Sequence, residues 1–333
     1  MGLSRLGQAL TAREIRELVA ADLEKVEREI QLESIASVEA VTRIGAHLQG
    51  NGGKRLRPML LLLVNKLAGE TNDAAIRLGA VVEMIHAATL IHDDVIDDAR
   101  SRRGKASANV LWGNQTCVLA GDWLYMQAFQ IALRQRNFSI LDVLIALTQT
   151  MVEGELLQLE RIGKIAITEA DYMELVDRKT ASLFSACARL GTLVAGAPDD
   201  VEAKLGEYAW NLGMAFQLVD DILDFTARES ILGKPVGNDL REGKVTLPLI
   251  YALAEATPAE RALVATVLHE RSYDRVPLAR VLTMIGRYQG IERARQRAWA
   301  FTSKSREIIS SFPESPYQRA LYTVTELITE RDH

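Results

Sequence analysis

Cysteine is nearly absent from this sequence. The 333 residues include two, Cys117 and Cys187, in apolar stretches with no C-x-x-C pair and no histidine spacing suited to zinc. That leaves no disulfide framework, and both thiols read as buried groups in a reducing, cytoplasmic compartment. Basic charge is also in short supply: 39 Lys and Arg stand against 44 Asp and Glu, for a formal net charge of −5. This balance argues against a nucleic-acid surface. Long apolar runs are missing too. Runs such as Met59 to Val64 and Leu144 to Leu147 fall far short of the roughly 18 residues that would span a bilayer. The N-terminal M-G-L-S-R-L-G has no apolar signal core, and Leu6 stands where an N-myristoylation site wants Ser or Thr. No G-x-x-x-x-G-K-[ST] loop occurs, so ATP is not implied. Strand-like alternation and low-complexity segments are lacking as well.

What is present is helical periodicity over a composition that is 48% hydrophobic, enough for a substantial core. The pattern predicts helices from Thr11 to about Glu33, Ile35 to Leu48, Arg57 to Ala68 and Asn72 into an acidic cluster, then Gly121 to Arg134 and Phe138 to about Glu160. Thr168 opens a helix continuing through Lys179, and Pro198 opens the next long one. Thr257-Pro258-Ala259-Glu260 combines a cap, an early proline and a glutamate at the third position. From Val276 onward three amphipathic helices follow, the last opened by Ser315-Pro316. Linkers are short and no composition break divides the chain, so residues 1–333 read as a single all-α domain of more than ten helices.

The organising stretch runs from Met84 to Asn109. It begins apolar, turns acidic at Asp93, Asp94, Asp97 and Asp98, then basic at Arg100, Arg102, Arg103 and Lys105. On a helix, Asp93, Asp94 and Asp97 crowd within about 100° of one face. Ser101 and Gly104 place them at the helix C-terminus, where the macrodipole already disfavours negative charge. Such a cluster needs a compensating cation, and a hard dication with oxygen ligands suits it, Mg²⁺ above all where substrate phosphates complete the shell. The plain alternative is an acidic helix end neutralised by nearby arginine. Against that, the spacing recurs at Asp220, Asp221 and Asp224, again with turn and basic signals following at Leu232-Gly233-Lys234-Pro235. Two such triads describe a pocket for a multiply charged anion held through metal.

Other cations complete the picture. Gly52-Gly53-Lys54-Arg55-Leu56-Arg57-Pro58 sits at a helix N-terminus suited to phosphate, with Lys54 and Arg57 three residues apart. The adjacent forks of Arg102 and Arg103 point in different directions and can serve two anions. Lys179 lies in an apolar context, and Lys234 and Lys244 fall in loops after the second triad. His86 lies seven residues, two turns, before Asp93 on the same face, whereas His92 has no such alignment and reads as structural.

Taken together, G-G-K-R-L-R-P, H-D-D-V-I-D-D-x-x-x-R-R-G, G-E-L-L-Q-L, R-K-T-A-S-L-F, F-Q-L-V-D-D-I-L-D and G-K-x-x-x-x-D-L-R-E-G-K-x-T-L-P resemble the trans-isoprenyl diphosphate synthases over nearly the whole chain. The resemblance implies an all-α helical bundle of the isoprenoid synthase type with a central apolar cavity. It implies Mg²⁺, three ions per active site, held by Asp93, Asp94, Asp97, Asp220, Asp221 and Asp224. Isopentenyl diphosphate maps onto Lys54, Arg57, His86 and Arg103. The allylic diphosphate maps onto Arg102, Lys179, Lys234 and Lys244, with Thr180 and Gln217 near the reacting carbons. A homodimer through apolar faces near Trp112 to Phe129 is expected on the same ground.

Members with short products place bulky aromatics four or five residues before the first Asp. Here those positions are Thr89 and Ala88, with aliphatic Ile85, Met84 and Val81 further down and no aromatic in the facing Leu141 to Thr148. The expectation is a medium- to long-chain all-trans product, octaprenyl to decaprenyl, with Phe129, Phe138 and Met151 as candidate limits. The rivals are a short-chain farnesyl or geranylgeranyl diphosphate synthase, a class I terpene cyclase or head-to-head condensing enzyme, a non-catalytic partner subunit, and a purely structural bundle.

Overall fold

The computed structural model describes residues 10–50, 53–102, 104–226 and 236–329. These group into two compact units, each assembled from separated segments: residues 1–146, 184–209 and 307–324 form the first, and 147–183, 210–306 and 325–333 the second.

In the first unit, α1 (Ala12–Glu17) starts at a capping box in which Thr11 and Glu14 satisfy each other's backbone N–H groups. The predicted Thr11–Glu33 helix is interrupted at Leu18 and Val19 before α2 (Ala20–Glu33). Next come α3 (Glu39–Gly50), α4 (Leu56–Ala68) and α5 (Asp73–Ile96). The expected start of α3 at Ile35 is delayed because Thr42 Oγ1 accepts the Ala36 N–H at 2.9 Å, holding a turn there instead. Asn72 caps α5 by accepting the Ala75 N–H, as its sequence position suggests. A two-residue ladder, β1 (Ser101–Arg102) with β2 (Lys105–Ala106), corrects the expectation of no strand. It escaped notice because it is too short to show alternation. Then follow α6 (Ala108–Trp112) and α7 (Asn114–Arg134), which begins seven residues before the predicted Gly121.

The core of this unit is α5. It packs on α2, α4 and α7, and its apolar residues are buried on every side, from Ile76 and Leu78 to Val82, Met84, Ile85 and Ile91. Among the described residues it is also the helix long and apolar enough to cross a membrane, with 61% of its most apolar window buried. Counting unbroken runs overlooked it because Glu83 and His86 interrupt the apolar stretch. Such all-round burial is what a central core helix requires. His92 packs towards α7, its Nε2 lying 3.1 Å from the Val118 carbonyl, and Gly121 leaves the room: a Cβ there would sit 2.2 Å from the ring.

α8 (Phe138–Arg161) crosses the unit boundary at residue 147. In the second unit α9 (Glu169–Val176) starts at the predicted Thr168–Asp171 capping box. The helix expected to continue through Lys179 widens into a π turn, Asp177–Ala181, before α10 (Ser182–Val194), which returns to the first unit at Phe184. α11 (Asp199–Thr226) carries the second acidic triad. It is followed by α12 (Asn238–Arg241), α13 (Leu247–Glu255), α14 (Pro258–Glu270), α15 (Leu278–Arg287) and α16 (Gly290–Ser310), and then by α17 (Pro316–Thr329), which belongs to the first unit as far as Val324. The Thr257 capping box with Pro258 and Glu260 forms as read, and α13 packs on α9 and α15.

Candidate active site

The first acidic triad sits where its sequence puts it, at the C-terminus of α5, with Asp97 as the C-cap and no basic residue in the last turn. Asp93 and Asp97 are half-buried, while the Asp94 side chain is 1% exposed. Burying a carboxylate at the negative end of a helix is costly unless a cation faces it. The β1–β2 hairpin supplies one. It folds the chain back so that Arg102 Nε and Nη2 both donate to Asp94 Oδ1, at 2.9 and 2.8 Å. Asn109 Nδ2 donates to the Asp94 carbonyl at 3.0 Å and so caps the helix end. The hairpin is tied in turn to α3, with Lys105 Nζ donating to the Gly50 carbonyl and His47 Nε2 lying 3.1 Å from the Ala106 carbonyl.

Asp94 Oδ2 has no hydrogen-bond partner despite its burial. Among the described residues, no three carboxylate, imidazole or thiol groups gather into a cage that could hold a metal unaided. A buried carboxylate oxygen left unsatisfied, in an oxygen-only donor set, fits Mg²⁺, which takes one or two carboxylates and leaves the rest of its shell to water and phosphate. Nearby, the Cys117 thiol pKa is raised first by its own burial and then by the Asp94 charge. Tyr125 is raised by burial first, then by Asp93 and Asp122.

Of the cations read from the sequence, Lys54 is exposed and precedes α4, and Arg57 lies half-buried in its first turn with its guanidinium carbon 5.6 Å from the Phe184 ring centre. His86 lies half-buried on α5, where its carbonyl accepts from Thr89 Oγ1 at 2.7 Å. A cavity of about 60 Å³ is lined by Gly53, Arg55, Glu83, His86 and Arg102 among others. Arg103 and Lys234 lie outside the described residues, as do Gly52 and the expected turn at Leu232–Pro235.

The second triad is held differently. Asp221 is 4% exposed and both of its oxygens are engaged: Tyr172 OH donates to Oδ2 at 2.6 Å and Gln217 Nε2 to Oδ1 at 2.8 Å. Thr180 Oγ1 donates to Gln217 Oε1 at 2.9 Å, which links the π turn to the triad. Burial raises the Asp221 pKa well above the ordinary carboxylate range, and nearby Asp239 and Asp220 push the same way, against the two hydrogen bonds. Asp220 is exposed. Asp224 is fully buried. It accepts the Asp239 N–H on Oδ2 at 3.1 Å, and its carbonyl accepts the Gly237 N–H at 2.7 Å. The two triads therefore differ at their third position. α5 ends before Asp97, whereas α11 runs two residues past Asp224 and uses it to anchor the loop that follows.

Lys179 is presented by the π turn, where the widened helix shifts its register. Gly154 permits this on α8, because a Cβ there would meet Arg178 Cβ at 2.9 Å and the Lys179 N at 3.2 Å. Lys179 Nζ pairs with Glu155 and donates to Gln158 Oε1 at 3.2 Å. Lys244 Nζ pairs with Glu242 at 2.8 Å, and its N–H donates to the Asp239 carbonyl. Sequence reading missed Tyr172 and the bracing role of Glu155 and Gln158. The G-E-L-L-Q-L run flagged the latter two, but nothing local marks Tyr172.

The Polyprenyl synthetase family model matches residues 38–285. The octaprenyl diphosphate synthase of Escherichia coli (strain K12) is 37% identical over 318 residues, 96% of this chain and 98% of that protein. Among solved structures, a decaprenyl diphosphate synthase from Rhodobacter capsulatus gives a TM-score of 0.92 at 35% identity, covering 97% of this chain and 100% of its own. The chain belongs to the polyprenyl synthetase family. A further family structure, a polyprenyl synthase from Caulobacter crescentus CB15 complexed with calcium and isoprenyl diphosphate, gives a TM-score of 0.92 at 34% identity over 98% of this chain and 99% of its own. This polyprenyl synthetase is thus a prenyltransferase with the all-α isoprenoid synthase fold.

On the face of α5 below the first triad of this synthetase, Ala88, Ile85 and Val81 are fully buried and Thr89 is half-buried. All four lack the bulk of an aromatic ring. Met151 is 7% exposed and Phe129 half-buried, but Phe138 is 81% exposed and so lines no interior space within the chain. That removes Phe138 from the candidate chain-length limits of a single protomer.

Proposed function

We propose that the whole chain acts as one trans-polyprenyl diphosphate synthase domain. It condenses isopentenyl diphosphate with an allylic diphosphate, repeatedly, to an all-trans product of octaprenyl to decaprenyl length. The observation that carries this reading is the first acidic triad, with buried Asp94 braced by Arg102 and one oxygen unsatisfied. End-to-end similarity to long-chain synthases supports the product class, and aromatic-free Ala88 and Thr89 support its length.

Asp93, Asp94, Asp97, Asp220, Asp221 and Asp224 would hold Mg²⁺, three ions per site, which neutralises charge building on a departing diphosphate. Arg102, Lys179, Lys234 and Lys244 bind the allylic diphosphate, and Lys54, Arg57, His86 and Arg103 bind isopentenyl diphosphate. Cations favouring the separated diphosphate over the ester lower the barrier to breaking the allylic C–O bond. Apolar walls keep water from the resulting carbocation. With the Thr180 proton donated to Gln217, the hydroxyl lone pairs remain available to face that cation. The alkene π electrons then form the new C–C bond. A proton leaves the adjacent carbon for the released diphosphate, since the described residues offer no clear side-chain base.

We place the enzyme in the cytoplasm as a homodimer. α7 exposes Leu119, Met126 and Leu133, and α8 exposes Phe138, Ile145, Val152 and Leu159, each series spaced by seven residues on its own helix. A second copy of the chain suits such stripes. The test is Mg²⁺-dependent extension of several allylic primers by purified protein, with chromatography of the dephosphorylated products. Products of only 15 or 20 carbons would refute the length assignment, and no extension of any primer would refute the activity.

A further inference from the structure

Arg55 has a backbone conformation that its residue type does not favour. It is the N-cap of α4 at φ 50°, ψ 40°, the left-handed region, and its side chain makes no cap. A bulky L-residue stays there only when its surroundings fix it. Here two helices do so. Glu27 of α2 accepts from Arg55 Nε and, at 3.1 Å, from Nη2, while Glu83 of α5 accepts from Nη1 at 2.8 Å. The Arg55 and Glu83 side chains are each 12% exposed and that of Glu27 33%. The left-handed kink separates Lys54 from Arg57, and Glu83 lies one turn before His86 on α5.

We propose that the Glu27–Arg55–Glu83 clamp is a positioning device for the second diphosphate, fixing the Lys54–Arg57 cradle against His86. This rests on the assignment of isopentenyl diphosphate to those three residues. Arg55 itself is committed to two carboxylates. It stands between Lys54 and Arg57 in G-G-K-R-L-R-P, and the geometry assigns it to the scaffold.

The sign of the effect separates placement from field. One guanidinium and two carboxylates sum to a negative charge beside an anion site, so acting by field alone the clamp would repel diphosphate. Removing a carboxylate would then lower KM. Acting by placement, its loss lets the kink relax and raises KM.

The experiment uses full-length Glu83→Gln, Glu27→Gln and Arg55→Lys, with initial rates measured against each substrate at saturating partner and Mg²⁺, and thermal unfolding alongside. The expected result is a KM for isopentenyl diphosphate raised about tenfold in Glu83→Gln, with kcat and the allylic KM within about twofold of wild type. Arg55→Lys, which keeps the charge but loses the fork, moves the same way. An isopentenyl diphosphate KM that is unchanged or lower overturns the proposal, as does a loss of thermal stability with both KM values intact. If Glu83→Gln does not fold, Glu27→Gln, at the more exposed end, carries the same test. A wild-type protein inactive with every primer would instead overturn the functional assignment beneath it.

Discussion

Replacing Tyr172 with Phe deletes one oxygen and leaves the ring packed. That oxygen donates to Asp221 Oδ2 at 2.6 Å, and both residues are buried. An acceptor oxygen left unsatisfied in the interior costs about 1.5–3 kcal/mol, a cost that does not require the carboxyl to be charged. In a chain of this size each kcal/mol shifts Tm by about 2 °C, so the metal-free protein should melt about 3–6 °C lower. The functional consequence is separate. Asp221 is held between Tyr172 and Gln217, and Gln217 is held by Thr180. Freeing one side lets the carboxylate rotate and loosens Gln217. We expect kcat to fall about tenfold and the Mg²⁺ concentration for half-maximal rate to rise, with KM for isopentenyl diphosphate unchanged. The assay is steady-state turnover across a Mg²⁺ titration, with calorimetric melting in parallel. Gln217→Leu combined with Tyr172→Phe should be less damaging than the sum of the two, because they brace one group. A lower Tm with an unaltered kcat and Mg²⁺ profile would refute the reasoning and leave Tyr172 a packing residue only.

Ala88→Phe puts a ring on the buried face of α5 one turn below Asp93, and product chromatography should then show chains shortened towards 15–20 carbons at comparable turnover. Gly154→Ala drives a methyl to within 2.9 Å of Arg178 Cβ, so unfolding free energy should fall by about 1–3 kcal/mol and kcat should fall as the π turn shifts Lys179. For Asp22, burial pulls the pKa up, but Lys66 and Lys25, at 2.9 and 3.1 Å, outweigh it and hold the carboxyl below its ordinary 3.8. Its folded pKa is therefore depressed, so its stabilisation is present above about pH 4 and is lost as pH falls through the lower folded value. Asp22→Asn should cost about 1–2 kcal/mol in urea unfolding at pH 7, and the difference from wild type should shrink as the pH approaches 3. An equal difference at both pH values would refute that account.

Much of the fold was legible because its signals are local. Capping boxes at Thr168 and Thr257 need only four consecutive residues, about one turn of backbone, and both form. The N-cap at Asn72 and the acidic end of α5 follow from the same short-range chemistry. The break at Leu18 and Val19 was not visible, because an apolar pair inside an amphipathic pattern looks like continuation. The π turn at Asp177–Ala181 was hidden for a related reason. One inserted residue per turn leaves the periodicity on either side nearly intact, and the cause lies on α8, in the close approach that Gly154 allows.

The site shows the same division at finer grain. Sequence spacing makes the two triads look like copies, and at the middle position they behave alike: Asp94 and Asp221 are both buried and braced by their own surroundings. The partners could not be read from spacing, since Arg102 returns through a hairpin and Tyr172 comes from another helix. The third positions diverge, with Asp97 capping α5 and Asp224 buried within α11, because helix length past the triad is set by downstream packing. On the proposed metal role, the spacing D-D-x-x-D would serve two jobs: a middle residue whose bracing fixes the helix end, with Asp94 Oδ2 still placed to meet a cation, and flanking residues, Asp93 and Asp97 or Asp220, at the less buried surface where cation and diphosphate would arrive. On that division, charge-neutral substitution at Asp94 should damage stability and placement together, whereas the same change at Asp93 should fall on turnover.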